Sequence, residues 1–122
     1  MKKILIVDDE PNIIMALEYA LKKKSYLVYI ARDGDEAIRL ADENLPDLVV
    51  LDIMMPKVDG YEVLRHLKSE SPIKDSIKVV FISAKNKEDD IEQGLSLGAD
   101  NYLTKPFSIK KLLNEIETQL EN

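Results

Sequence analysis

Apolar positions along this chain follow two alternating patterns. Ile4-Leu5-Ile6-Val7, Leu48-Val49-Val50-Leu51 and Val79-Val80-Phe81-Ile82 are short unbroken apolar runs, as expected of strands buried on both faces of a parallel sheet. Between and after them, apolar residues recur at helical spacing, as in Val63, Leu64 and Leu67, or Ile109, Leu112, Leu113, Ile116 and Leu120. The pattern predicts strands over 3–8, 26–30, 47–51, 77–82 and 101–103. It predicts helices over 11–24, from 33–35 to about 44, over 61–69, over 87–97, and onward from Ser108. Local chemistry agrees with these limits. Pro11 suits a first helical turn, where a missing N–H costs little. Asp33-Gly34-Asp35 is a turn that can cap the second helix, Pro46 ends it, and Ser71-Pro72 breaks the third. Gly98 fits the position just past a helix end, and Ser108 reads as an N-cap. Residues 55–60 read as a loop. Five β/α units in one domain, 1–122, give an α/β fold: a doubly wound, five-stranded parallel sheet with helices on both faces.

Composition narrows the classes. The 122 residues include no cysteine, which excludes a disulfide framework and thiolate chemistry. No apolar run approaches the roughly 20 residues that span a bilayer. The opening Met1-Lys2-Lys3 and its apolar stretch meet Asp8-Asp9-Glu10 too soon for a signal peptide. The expectation is a soluble, cytoplasmic protein with no membrane contact. A net charge of −6 argues against direct nucleic-acid binding, which needs a basic surface. It favours protein partners, a cation, or both.

Ligands of open parallel sheets bind at the carboxyl ends of the strands. Asp8-Asp9 closes the first run and Asp52 closes the second. Each alone reads more readily as a loop or capping acid. On neighbouring strands, however, three carboxylates meet. Two such charges about 4 Å apart repel by roughly 4 kcal/mol at an effective dielectric near 20. A cluster of hard oxygen ligands suits Mg2+. Ser83, followed by the small Ala84, ends the fourth run. Alone it reads as an N-cap for the next helix, with a hydroxyl donor to an anion as the second reading. Lys105-Pro106 follows the fifth strand. Its ammonium can balance the acids and hold a phosphoryl oxygen as a point charge, and Pro106 is a candidate for a cis peptide. Together these groups can bind Mg2+ and a phosphoryl group. An aspartate nucleophile forming an acyl phosphate is known chemistry, with metal and lysine neutralising the transferring oxygens.

The motifs Ile6-Val7-Asp8-Asp9-Glu10-Pro11, Leu51-Asp52-Ile53-Met54-Met55-Pro56 with Asp59-Gly60, Ile82-Ser83-Ala84, Gly98-Ala99-Asp100 and Tyr102-Leu103-Thr104-Lys105-Pro106-Phe107 resemble, in this order and spacing, the receiver domain of two-component response regulators. The resemblance covers nearly the whole chain. It implies the flavodoxin-like, CheY-like strand order 2-1-3-4-5 and a phosphorelay switch. It implies that Asp52 is the phosphoacceptor. Asp9 and Asp52 would ligate Mg2+ (or Mn2+) by side chain, Asp8 through water and Met54 by its carbonyl. Ser83, with Ala84, and Lys105 would bind phosphoryl oxygens. Tyr102 would turn inward as Ser83 moves toward the phosphate. The implied donor is a phosphohistidine on a sensor histidine kinase or histidine phosphotransfer protein. The domain would act as a switch, not as an enzyme on an external substrate. Met54 and Lys85, two residues after Asp52 and Ser83, are neither acids nor amides able to orient water. Self-hydrolysis is therefore expected to be not among the fastest.

Helix 11–24 is apolar over much of its girth, more than a buried stripe needs. If Ile13, Leu17, Ala20 and Leu21 face the sheet, Ile14 and Met15 stay partly exposed. With Pro11 and Ile13 they are candidates for docking the kinase. The fourth helix, fifth strand and fifth helix would form the output face toward an unknown effector. Receivers joined to winged-helix domains typically pair acidic-then-basic residues of the last helix across a dimer. Lys111 and Glu115 have the opposite order, which weakens that mode, whereas Asp100 can still pair with a basic residue. A phosphorylation-dependent homodimer stays open. Two other functions share this topology. An aspartyl-phosphate phosphatase wants its nucleophile after the first strand and a second Asp two residues on, where Met54 follows Asp52. A flavin-binding module wants a hydroxyl- and glycine-rich loop where Asp8-Asp9 stands. The lone His66 reads as a surface residue.

Overall fold

The computed structural model describes residues 1–55, 59–84 and 87–121. Pro56, Lys57 and Val58 of the expected loop, and Lys85, lie outside the described residues. The elements alternate as β1 (Lys3–Val7), α1 (Pro11–Lys23), β2 (Leu27–Ala31), α2 (Gly34–Asn44), β3 (Leu48–Asp52), α3 (Gly60–Ser69), β4 (Lys78–Ser83), α4 (Glu88–Ser96), β5 (Asn101–Thr104) and α5 (Ile109–Glu121). All pairings are parallel, in the order β2-β1-β3-β4-β5. This is the expected α/β fold and strand order. The predicted element limits shift by one residue or so.

The period-two alternation of each strand sorts its side chains into two layers. Leu5 and Val7 of β1, Val49 and Leu51 of β3, and Val79 and Phe81 of β4 pack with Ala37, Ala41, Val63, Leu64 and Leu67 from α2 and α3. Their neighbours Ile4, Ile6, Leu48, Val50, Val80 and Ile82 pack with Leu17 and Leu21 of α1 and Leu112 and Ile116 of α5. Both faces of the central strands are therefore dry, which explains the unbroken apolar runs.

Asp33 and Ser108 cap as expected, and Asp59, expected only as a loop residue, caps α3. Asp33 accepts from the Glu36 N–H at 2.9 Å, Asp59 from the Glu62 N–H at 3.0 Å and Ser108 from the Lys111 N–H at 3.0 Å. Gly98 takes φ +109° just past α4, a conformation open chiefly to glycine. Leu45, before Pro46, caps α2 in the left-handed region at φ 52°. Ser83 is not the N-cap of α4: it is the last residue of β4 and fully buried, and the α4 N-cap is Lys87. No helix among the described residues is long and apolar enough to cross a membrane.

Candidate phosphoacceptor and metal site

β1 and β3 are hydrogen-bonded neighbours, with Val7 opposite Leu51. Asp8 and Asp52 therefore emerge side by side at the carboxyl edge. Asp8 is fully buried and Asp52 nearly so, at 3% exposure. The two acids are held alike. One oxygen of each accepts the N–H two residues on: Asp8 Oδ1 from Glu10 at 2.8 Å and Asp52 Oδ1 from Met54 at 3.1 Å. These local bonds, typical of Asx turns, fix each carboxylate plane. They leave the second oxygen of each facing Lys105 Nζ, at 3.1 Å from Asp8 Oδ2 and 3.3 Å from Asp52 Oδ2. Lys105 also donates to Glu10 Oε1 at 2.8 Å.

Lys105 follows β5 and donates its N–H to the Ser83 carbonyl at 2.7 Å. This bond brings the lysine across β4 to the acids. The Lys105-Pro106 peptide is cis, as Pro106 suggested. Ser83 sits at the same edge, and Tyr102 on β5 is 7% exposed, with a hydrogen bond between its side chain and that of Ser83. Ala84 is exposed beside them.

The charges do not balance. Three carboxylates, from Asp8, Glu10 and Asp52, lie with ligand oxygens within 4.8 Å of one another, against one ammonium among the described residues, that of Lys105. Burial and the adjacent Asp8 charge push Asp52 up from 3.8 to about 6, although Lys105 and the Met54 N–H pull it down. Burial alone would lower Lys105. Its bonds to Glu10 and Asp8 and the Asp52 charge outweigh that and raise it, so the lysine stays charged. A compact set of hard oxygen donors with excess negative charge fits a small divalent cation.

Other expected residues lie around this group, and one of them, Ile14, is placed differently. Asp9 is exposed and stands outside the three-carboxylate group, in which the structure puts Glu10. Glu10 was visible only as the third acid of the first motif. Met54 is 56% exposed, with its N–H given to Asp52. On α1 the expected rotation is corrected. Ile14, Leu17 and Leu21, at spacings of three and four, are buried, so Ile14 is no docking residue. Ile13 is half-buried against the α5 layer, Pro11 is exposed, and the exposed apolar side chains are Met15 and Tyr19, at 68% and 66%. Between α1 and the β5–α5 connection lies an open groove of about 510 Å3, whose lining includes Glu10, Ile13, Ala16, Lys105, Phe107 and Ile109.

His66 is not a free surface residue. Its Nε2 lies 2.9 Å from Asp42 on α2 and its Nδ1 3.2 Å from Glu70. Asp100 is engaged within the chain. It accepts from Lys68 Nζ at 2.9 Å and from the Val79 N–H at 2.8 Å. Glu115 accepts from Gln119 at 2.8 Å.

The sequence matches the response regulator receiver domain family over residues 4–117. It is 46% identical over 111 residues to the alkaline phosphatase synthesis transcriptional regulatory protein PhoP of Bacillus subtilis (strain 168), covering 91% of this chain and 45% of that protein. The chain thus spans about half the length of this curated relative. Among solved structures, the receiver domain of the Francisella response regulator 1452 superposes with a TM-score of 0.91 at 31% identity, covering 99% of this chain and 98% of that one. The BeF3-activated N-terminal receiver domain of Klebsiella pneumoniae RstA superposes with a TM-score of 0.89 at 27% identity, covering 99% and 100%.

Proposed function

The chain belongs to the response regulator receiver domain family of two-component systems, and we propose that it is a phosphorylation-activated switch with Asp52 as phosphoacceptor. The observation that carries this reading is the matched pose of Asp8 and Asp52. Each has one oxygen tied to a backbone N–H and the other aimed at Lys105. Asp52 Oδ2 is the oxygen free of backbone bonds, and so the nucleophile. It attacks phosphorus of a phosphohistidine, the O–P bond forms as the P–N bond breaks, and the electron pair leaves with the imidazole. Lys105, already beside Oδ2, holds a phosphoryl oxygen by charge, and the Ser83 hydroxyl donates to another. Water later cleaves the acyl phosphate and restores the carboxylate.

Asp52 and, through water, Asp8 are assigned to Mg2+ or Mn2+. Asp9 and the Met54 carbonyl are assigned with them by family resemblance, and Glu10 by its position in the carboxylate group. The ion supplies charge neutralisation for the incoming phosphoryl oxygens. The domain promotes only its own phosphorylation and hydrolysis, and is not an enzyme acting on another substrate.

The donor is a sensor histidine kinase or histidine phosphotransfer protein in the cytoplasm. It docks on Met15 and the groove beside Lys105, with Ile13 and Pro11 at the margin. The response passes from Ser83 and Tyr102 to the α4–β5–α5 face and an effector. RstA's receiver was crystallised in a BeF3-activated form, and the same anion is a suitable probe here. Because Asp100 is already held by Lys68 and Val79, a homodimer on this face would have to use other groups or release that pair. With Met54 two residues after Asp52 and Lys85 two after Ser83 in the sequence, self-hydrolysis is expected to be not among the fastest, and a phosphorylated half-life of seconds would contradict it.

The decisive experiment is intact mass after incubation with a small-molecule phosphodonor and Mg2+, beside Asp52→Asn. The reading requires a gain of one phosphoryl group that depends on Mg2+ and is absent in the variant. No gain in folded protein refutes it.

A further inference from the structure

Gly94 is buried inside α4. A Cβ on it would stand 3.0 Å from Phe81 Cδ2, 3.0 Å from Tyr102 Cδ2 and 3.2 Å from Tyr102 Cε2. Glycine inside a helix is destabilising relative to alanine. The backbone here does not demand it, since Gly98 has the positive φ among the described glycines. What Gly94 supplies is space. Phe81 has the less room to give the few tenths of an ångström required. It is fully buried and held edge-on between Tyr61, at 5.7 Å, and Tyr102, at 6.0 Å. Tyr102 can yield: it lies on the edge strand β5 and keeps 7% exposure.

We propose that Gly94 is the positioning residue of the Ser83–Tyr102 pair. By lacking a side chain, it lets the Tyr102 ring lie inward beneath α4, against Phe81 and toward the Asp52 edge. A side chain at 94 turns the ring outward, separates it from Ser83 and uncouples α4 from the acceptor. The geometry stands by itself. Its signalling consequence rests on the phosphorylation reading above.

The test uses the whole chain labelled with 3-fluorotyrosine, unphosphorylated and without metal. The chain has 5 tyrosines, and Tyr102→Phe identifies the Tyr102 fluorine resonance. In Gly94→Ala and Gly94→Ser, this resonance should lose the small H2O-to-D2O shift of a buried ring and gain the larger shift of exposed Tyr19. Tyr61 should keep its own. A Tyr102 resonance unchanged in both folded variants overturns the proposal. The second arm places Gly94→Ala in a Tyr102→Ala background. The loss in urea midpoint caused by Gly94→Ala should shrink once the ring is gone. An equal loss in both backgrounds, or failure of the double variant to fold, overturns the proposal. Folding of the double variant alone supports it.

With phosphodonor and Mg2+, Gly94→Ala should still gain mass at Asp52. Its Tyr102 resonance should no longer respond to that gain as the parent's does. If the parent gains no mass, the phosphorylation reading fails, and the fluorine shifts still judge Gly94.

Discussion

At the amino ends of its strands the sheet holds Asp47 and Asp100. At the carboxyl ends it holds Asp8 and Asp52. Asp47 accepts the Lys3 N–H at 2.8 Å, and one Asp100 oxygen accepts both the Val79 N–H and Lys68. The first N–H groups of a strand project past the ladder, so an acid placed there meets donors and joins neighbouring strands. At the opposite end each acid likewise accepts one backbone N–H, from the following loop. The second oxygens of Asp8 and Asp52, together with Glu10, converge on Lys105. Asp8 and Asp52 are buried, whereas Asp47 and Asp100 are half-buried. An acid standing apart at the amino end of a strand behaves as structure. Buried acids crowded with a third are poised to take a cation or a phosphoryl group. Residue type and the backbone N–H are the same at both ends, and the difference lies in burial and in how many carboxylates meet.

The comparison breaks most sharply on chemistry. Asp52→Asn should abolish phosphoryl uptake, whereas Asp100→Asn should leave it intact, as read by intact mass. On stability the order reverses. Asp100→Ala strands the Val79 N–H and the half-buried Lys68 ammonium and should cost about 2–3 kcal/mol in urea denaturation. Asp52→Asn should instead stabilise the metal-free protein at pH 7 by about 1–3 kcal/mol, because a carboxylate raised from 3.8 to about 6 opposes folding when ionised.

The sign of that pH dependence follows. The folded state holds the Asp52 proton more tightly than the unfolded chain. This contribution favours folding below the unfolded value of 3.8 and is lost as pH rises through about 6. Urea midpoints of the parent minus those of Asp52→Asn should therefore fall across that window. Divalent ion at pH 7 should reduce the difference by binding the ionised site. The smallest effect belongs to Glu10→Gln. With Glu10 at 56% side-chain exposure, losing its pair with Lys105 should change stability by less than about 1 kcal/mol.

Much of this was legible in the chain. The strands were readable because burial on both faces makes their runs continuous, and the caps because Asp33, Gly98 and Ser108 act on backbone within a few residues. Asp8, Asp52, Ser83 and Lys105 were marked by their positions after apolar runs. The rotation of α1 was not legible. Ile13 and Ile14 are both apolar, and an all-round apolar helix leaves its hydrophobic face undefined until the α5 layer selects it. The partners of His66 and Asp100 were not legible either, since Asp42 and Lys68 are brought to them by folding.

The sequence by itself determined the alternation of elements, their ends, the two apolar layers and the acids at the strand ends. All of these depend on periodicity or on groups close along the chain. Only the tertiary structure decided that Glu10 and Lys105, 95 residues apart, share a charge. It alone decided that Asp52 turns one particular oxygen toward that lysine, and that Gly94 makes room for Tyr102. Such outcomes depend on distances between elements, and those exist only once packing has fixed where each element lies.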